Sequence, residues 1–123
     1  MKTARWITGA GSFVVIASAV FHFVGYVPLR RMIETGGIKP PLDGILKACW
    51  LTFSVQLFVL GIIAFVASKT ERGGGIVLLC AASTGVTALL LLGFLGPFVG
   101  VYLTGAVTVL FLTAGWLQLK QLA

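Results

Sequence analysis

Long apolar runs dominate the chain, and short polar or glycine-rich segments separate them. Four runs reach the roughly 20 residues that a membrane-spanning helix needs. They cover about residues 6–29, 48–68, 75–95 and 98–117. The runs are too long for barrel strands of about ten residues and do not alternate apolar with polar positions. The pattern therefore predicts an all-α integral membrane protein, with a single transmembrane domain over residues 1–123 folded as a four-helix bundle.

The connections between the runs predict which helices are neighbours. The first connection contains a Gly-Gly and a Pro-Pro pair, so we expect either a structured turn or a short interfacial helix over residues 29–35, followed by a break. Gly96 and Pro97 alone separate the last two runs. A turn this short predicts that the third and fourth helices are antiparallel neighbours.

Composition agrees with the pattern and excludes several classes of protein. Hydrophobic residues make up 59% of the 123 residues, charged residues only 10%, and the mean hydropathy is +1.09. An ordinary soluble domain is about 45–50% apolar and about 25% charged. A soluble globular enzyme, a disordered tail and a nucleic-acid module are therefore excluded. We expect a multi-pass protein of the plasma membrane or an inner membrane.

The charges predict lipid as the first partner. Nine Lys and Arg residues stand against three Asp and Glu residues, and the basic ones lie at the edges of the apolar runs, where lipid headgroups are found. Arg30 and Arg31, just beyond Tyr26, are predicted to contact headgroup phosphates. No nucleic-acid partner is expected, whereas self-association or membership of a larger membrane complex is compatible with the sequence.

Cysteine and histidine usage predicts no metal site and no cofactor. Cys49 and Cys80 each fall near the start of a predicted helix, and these two helix starts lie on opposite sides of the membrane, too far apart for a disulfide. The chain has one His and no Cys-x-x-Cys motif, which disfavours a zinc site or a thiol–disulfide oxidoreductase.

His22 is the only ionisable side chain well inside a predicted span. Ionisable residues within a membrane are costly and often mark functional sites. Alternatively, a neutral imidazole bridges two helices by a hydrogen bond and has a purely structural role. The sequence leaves both interpretations open.

Four more polar residues fall in the same half of their spans as His22. We predict that together they line one interhelical cavity that opens toward the first connection, and that they bind a ligand there. For the hydroxyl residues, the alternative is a hydrogen bond back to their own helix. The five predicted ligand-binding residues are His22, Gln56, Thr87, Tyr102 and Thr104.

Three functional hypotheses follow from these residues. The first is binding or transport of a lipid-like or small amphiphilic ligand in the cavity, with His22 as its polar anchor. The second is a non-catalytic accessory subunit or homo-oligomeric interaction protein, which a tightly packed interior would favour. The third is a membrane enzyme with His22 as general base, aided by Glu34 or Asp43 from the first connection. Under the first two hypotheses we predict that the chain has no catalytic residues.

Overall fold

The computed structural model describes residues 2–121, and this part of the chain is helical with no strand. Five helices follow one another: α1 (Lys2–Val24), α2 (Tyr26–Thr35), α3 (Leu42–Ala67), α4 (Gly74–Leu95) and α5 (Val99–Lys120). Four segments are long and apolar enough to cross a membrane, namely residues 2–35, which join α1 and α2, and each of α3, α4 and α5. The prediction of an all-helical chain with four candidate spans is confirmed.

The first apolar run, predicted over 6–29, is divided between two helices. α1 ends at Val24 and α2 begins at Tyr26. Pro28 explains the division, because it has no N–H to donate and its ring crowds the carbonyl four residues earlier, that of Val24. The short helix expected over 29–35 therefore begins earlier than predicted, while its C-terminal end is where the sequence placed it.

The tight connection between α4 and α5 has the predicted form. α4 ends at Leu95 and α5 begins at Val99. Gly96 has a φ of 75°, in the left-handed region that glycine adopts without a steric penalty. The chain can therefore reverse within three residues, and α4 and α5 pack against each other along most of their length.

The long helices form a closed ring in the order α1, α3, α4, α5. α1 packs against both α3 and α5, whereas α3 meets α4 more sparsely than any other neighbouring pair in the ring meets. Small residues allow close approach: a Cβ on Gly115 of α5 would lie 3.0 Å from the carbonyl oxygen of Gly74 in α4. The buried core is built from small and branched side chains around one aromatic ring: Val15, Ala19, Leu57, Ala64, Ala67, Val77, Cys80, Ala81, Val107, Phe111 and Ala114.

The short helix α2 is attached to α3 by one buried side chain and a set of ion pairs. Ile33 is only 3% exposed. Glu34 accepts a hydrogen bond of 2.8 Å from Nε of Arg30, and Nζ of Lys47 on α3 lies 3.7 Å from the same carboxylate. Lys47 also lies 3.7 Å from Asp43, in the first turn of α3.

Candidate functional site

His22 lies in the last turn of α1 and contacts three residues of one face of α3. Its Nδ1 lies 2.8 Å from Oγ of Ser54. Its ring stacks on Trp50, with centroids 3.9 Å apart and planes inclined by 16°. Phe53 meets the ring edge-on, with centroids 4.9 Å apart. We call these four residues the His22 cluster; Trp50 and Ser54 share a face because they are four positions apart in a helix.

Two backbone carbonyls tie the His22 cluster to both helices. Nε1 of Trp50 donates to the carbonyl oxygen of His22 at 2.7 Å. Oγ of Ser54 lies 3.1 Å from the carbonyl oxygen of Trp50, four residues earlier in its own helix. When the Ser54 hydroxyl donates to that carbonyl, it accepts from Nδ1 of His22, so the imidazole carries its proton on Nδ1. The polar atoms of the cluster that face one another are then paired, as a helix bridge requires.

The acids that a catalytic histidine would use are engaged elsewhere. Glu34 pairs with Arg30 and Lys47, and Asp43 pairs with Lys47. Within residues 2–121, the hydrogen-bond partner of the His22 ring is a hydroxyl and not a carboxylate. The geometry therefore provides a bridge between α1 and α3, without the oriented acid–base pair that general-base catalysis needs.

The structure does not bring the five predicted ligand-binding side chains together. Thr104 is buried, whereas Tyr102 is 67% exposed and Gln56 is exposed on the outer surface of α3. Thr87 is half-buried and donates back to the carbonyl of Ser83 at 2.9 Å. Gln56 follows Ser54 by two positions, about 200° around a helix, so it points away when Ser54 faces His22.

One small cavity lies between α1, α3, α4 and α5. Its volume is about 10 Å³, enough for about one water molecule. Apolar side chains line it together with Ser18, Thr84 and Thr104. Each of these hydroxyls already donates to a carbonyl of its own helix, at 2.7 to 3.2 Å. Of the predicted set, Thr104 is therefore the residue that lines this cavity.

The remaining predicted residues are also placed by the structure. Arg30 and Arg31 are both exposed on α2, and Arg30 also pairs with Glu34. Both cysteines are free thiols: Cys49 is exposed and Cys80 is buried. No group of three or more His, Cys, Asp or Glu side chains that could hold a metal ion occurs among residues 2–121.

The sequence analysis did not identify Ser54 and Trp50 as the partners of His22. A signal for them exists, because the Trp50 indole N–H and the Ser54 hydroxyl are four positions apart and share one face of the helix, although Thr52 and Gln56 form a second polar pair with the same spacing. From its place near the start of an apolar run, Trp50 would be expected to act as an interfacial anchor. In the structure its indole N–H donates to the neighbouring helix, which gives the ring a bridging role.

Fold and site together describe an all-helical ring of four candidate spans, joined near one end by a histidine–serine–tryptophan bridge. No protein-family model, curated protein or solved structure matches the chain.

Proposed function

We propose that this chain is a multi-pass protein of the plasma membrane or an inner membrane that acts as a non-catalytic interaction protein. Its helices associate in the bilayer with other membrane chains, and its outer surface carries the function. The observation that carries this proposal, within the part of the chain that the structure describes, is the small size of the cavity that Thr104 lines with residues of all four long helices: it holds about one water molecule. A pocket for a drug-sized ligand has about 300–1,000 Å³.

The outer surface supports the membrane part of the proposal. Large apolar side chains point outward from every long helix; Phe13, Leu79 and Phe94 are 74%, 72% and 85% exposed. A soluble monomer rarely exposes such continuous apolar surface. In a bilayer the same side chains contact lipid, and the backbone polar groups are satisfied within the helices.

The ligand-binding hypothesis has less support from the same observations. His22, its intended anchor, is engaged by Ser54, Trp50 and Phe53, and Gln56 and Tyr102 lie outside the bundle. A lipid-like molecule would have to separate helices to reach the interior. The enzyme hypothesis likewise lacks a carboxylate at His22.

Native mass spectrometry of the full chain released directly from lipid vesicles tests the proposal. We expect complexes that contain more than one protein chain and retain no stoichiometric small molecule inside the bundle. A single chain that carries one molecule of lipid-like ligand would contradict the proposal, above all if filling the cavity with Thr104→Leu expelled that ligand.

A further inference from the structure

The outward face of α3 carries a regular stripe of exposed residues. Their spacing alternates between four and three, which keeps them on one side of the helix in the pattern of the core positions of a two-stranded coiled coil. Each of them is exposed. We call this set the α3 stripe: Ile45, Cys49, Thr52, Gln56, Val59 and Ile63.

Gln56 is the unusual member of the α3 stripe. It lies close to the midpoint of α3, which runs from Leu42 to Ala67. Among residues 2–121 its amide has no hydrogen-bond partner, although Ser54, two positions away, is bonded to both His22 and a backbone carbonyl. In the bilayer that we propose, this amide lies in the hydrocarbon region, where water cannot serve as its partner.

Thr52 adds a second unpaired polar group to the α3 stripe. Thr84 and Thr104, like most hydroxyl residues of the bundle, donate back to a carbonyl of their own helix. The exposed Thr52 hydroxyl makes no such bond within the described part of the chain. The two polar groups lie one helical turn apart, and both face away from the bundle.

We propose that a second copy of this chain, inserted in the same orientation, packs its α3 stripe against the first. The proposal rests on the proposed function and names the partner and the surface. A carboxamide is both donor and acceptor, so it is self-complementary across a two-fold axis. An axis normal to the membrane brings Gln56 opposite Gln56, and the amides satisfy each other between the helices.

The α3 stripe contains its own reporter, since Cys49 lies two helical turns before Gln56. In the proposed pair the two Cys49 side chains face each other, whereas Cys80 is buried within its own bundle. Copies inserted in opposite orientations could still pair Gln56 near the midpoint. Their Cys49 residues would then be about 21 Å apart along the axis, from 14 residues at about 1.5 Å each, which exceeds the reach of a disulfide.

The test is oxidative cross-linking of the full chain in phosphatidylcholine vesicles, with copper phenanthroline and oxygen as the oxidant that takes the two thiols to a disulfide. We expect a linked dimer from the wild type and from Cys80→Ser, and none from Cys49→Ser. Gln56→Leu should raise the dimer dissociation constant about tenfold and lower the linked fraction accordingly.

A matched control moves the amide instead of removing it. Val55 is exposed but lies about 100° around the helix from Gln56. The double variant Val55→Gln with Gln56→Leu keeps one amide in α3, and we expect it to behave like Gln56→Leu. Circular dichroism and an unchanged burial of Cys80 verify that each variant is folded.

Three results would overturn the proposal: no Cys49-linked dimer from the wild type, linking that Gln56→Leu leaves unchanged, or linking that the moved amide restores. Native mass spectrometry separates this failure from that of the proposed function. Multi-chain complexes without Cys49 linking would contradict only the proposed α3-stripe interface. A single chain with a bound ligand would contradict both that interface and the proposed function.

Discussion

His22 joins α1 to α3 through a hydrogen bond, a ring stack and an edge-on aromatic contact. The hydrogen bond from Nε1 of Trp50 to the His22 carbonyl adds a fourth link in the same place. These four contacts hold the last turn of α1 in a fixed position against α3. The residue that the sequence marks as chemically unusual is therefore a bridge between helices in the structure.

The first prediction is that His22→Leu folds but is less stable. An interhelical hydrogen bond in a membrane contributes about 0.6 kcal/mol, and an aromatic stack contributes about 0.5–1.5 kcal/mol. We expect the free energy of unfolding to fall by about 1–2 kcal/mol, measured by reversible unfolding in mixed micelles.

A double-mutant cycle with Ser54→Ala assigns part of that loss to the bridge. The two changes should be non-additive, with a coupling of about 0.6 kcal/mol. Ser18→Ala is the control, since Ser18 donates to the carbonyl of Val14 within α1 and should not couple to His22. Strictly additive effects of His22→Leu and Ser54→Ala would show that the two side chains do not interact.

The sequence was sufficient to select His22 but not its partner. Thr52 and Gln56 lie on one helix face, as their spacing predicts, but that face is exposed. In a soluble helix the polar side faces water, and the rotation of the helix can be derived from the sequence. On α3 the buried side chains and most of the exposed ones are apolar alike, so the apolar pattern does not reveal which face of α3 is inside.

The helices themselves are held by close approach at small residues. α4 and α5 come together at Gly74 and Gly115, where a Cβ added to either glycine would lie about 3 Å from atoms of the other helix, closer than side chains normally approach. A Cβ added to Gly105, also on α5, would have no atom within 4 Å. One helix thus offers both a packed and an unpacked glycine.

The second prediction compares Gly115→Ala with Gly105→Ala. The new methyl at position 115 would lie 2.7 Å from Cγ of Leu78 and 3.0 Å from the Gly74 carbonyl oxygen. Overpacking of this kind should lower the free energy of unfolding by about 1–3 kcal/mol. Gly105→Ala should leave it unchanged or slightly higher, because alanine favours the helix. Thermal unfolding of both variants side by side is the measurement, and equal losses would contradict the packing.

The third prediction concerns α2, which depends on one apolar side chain. Ile33→Ala should release α2 and speed hydrogen exchange of its backbone amides, while α4 and α5 keep their protection. Glu34→Gln removes only the ion pairs of an exposed carboxylate, and such pairs contribute little to stability. It should leave the backbone amides of α2 protected. Faster exchange in Glu34→Gln than in Ile33→Ala would show that the ion pairs, and not Ile33, hold α2 in place.

The element bounds could be predicted where local chemistry decides them. Gly96 ends α4 through its backbone conformation, and the sequence showed this directly. The division at Val24 was missed because an apolar run continues across it. Pro28 crowds the carbonyl of the residue four positions earlier, so α1 ends at Val24 and not next to the proline.

At the scale of the whole molecule, both ends of the described chain lie at one end of the ring. Nη2 of Arg5 in α1 donates to the carbonyl of Lys69, just after α3, at 3.4 Å. The end of α5 lies beside the start of α4, where Gln118 approaches Gly74. This arrangement requires an even number of passes of the chain along the ring, with α2 at the opposite end.

The fourth prediction is therefore that both termini are accessible from the same side of the membrane. Lys2→Cys and Gln121→Cys, each made in a chain with Cys49→Ser and Cys80→Ser, report this through a thiol reagent that does not cross the bilayer. Labelling of the two positions from opposite sides would remove the four-span arrangement.

The claim that the interior is structural and the surface is functional is tested most directly at His22. The measurement is the mass of small molecules that the wild type and His22→Leu retain when released from the same lipid vesicles. We expect the same retained molecules, bound in the same low amounts, for both proteins, because the His22 ring is engaged by Ser54, Trp50 and Phe53. A stoichiometric molecule held by the wild type and lost from a folded His22→Leu protein would contradict that claim.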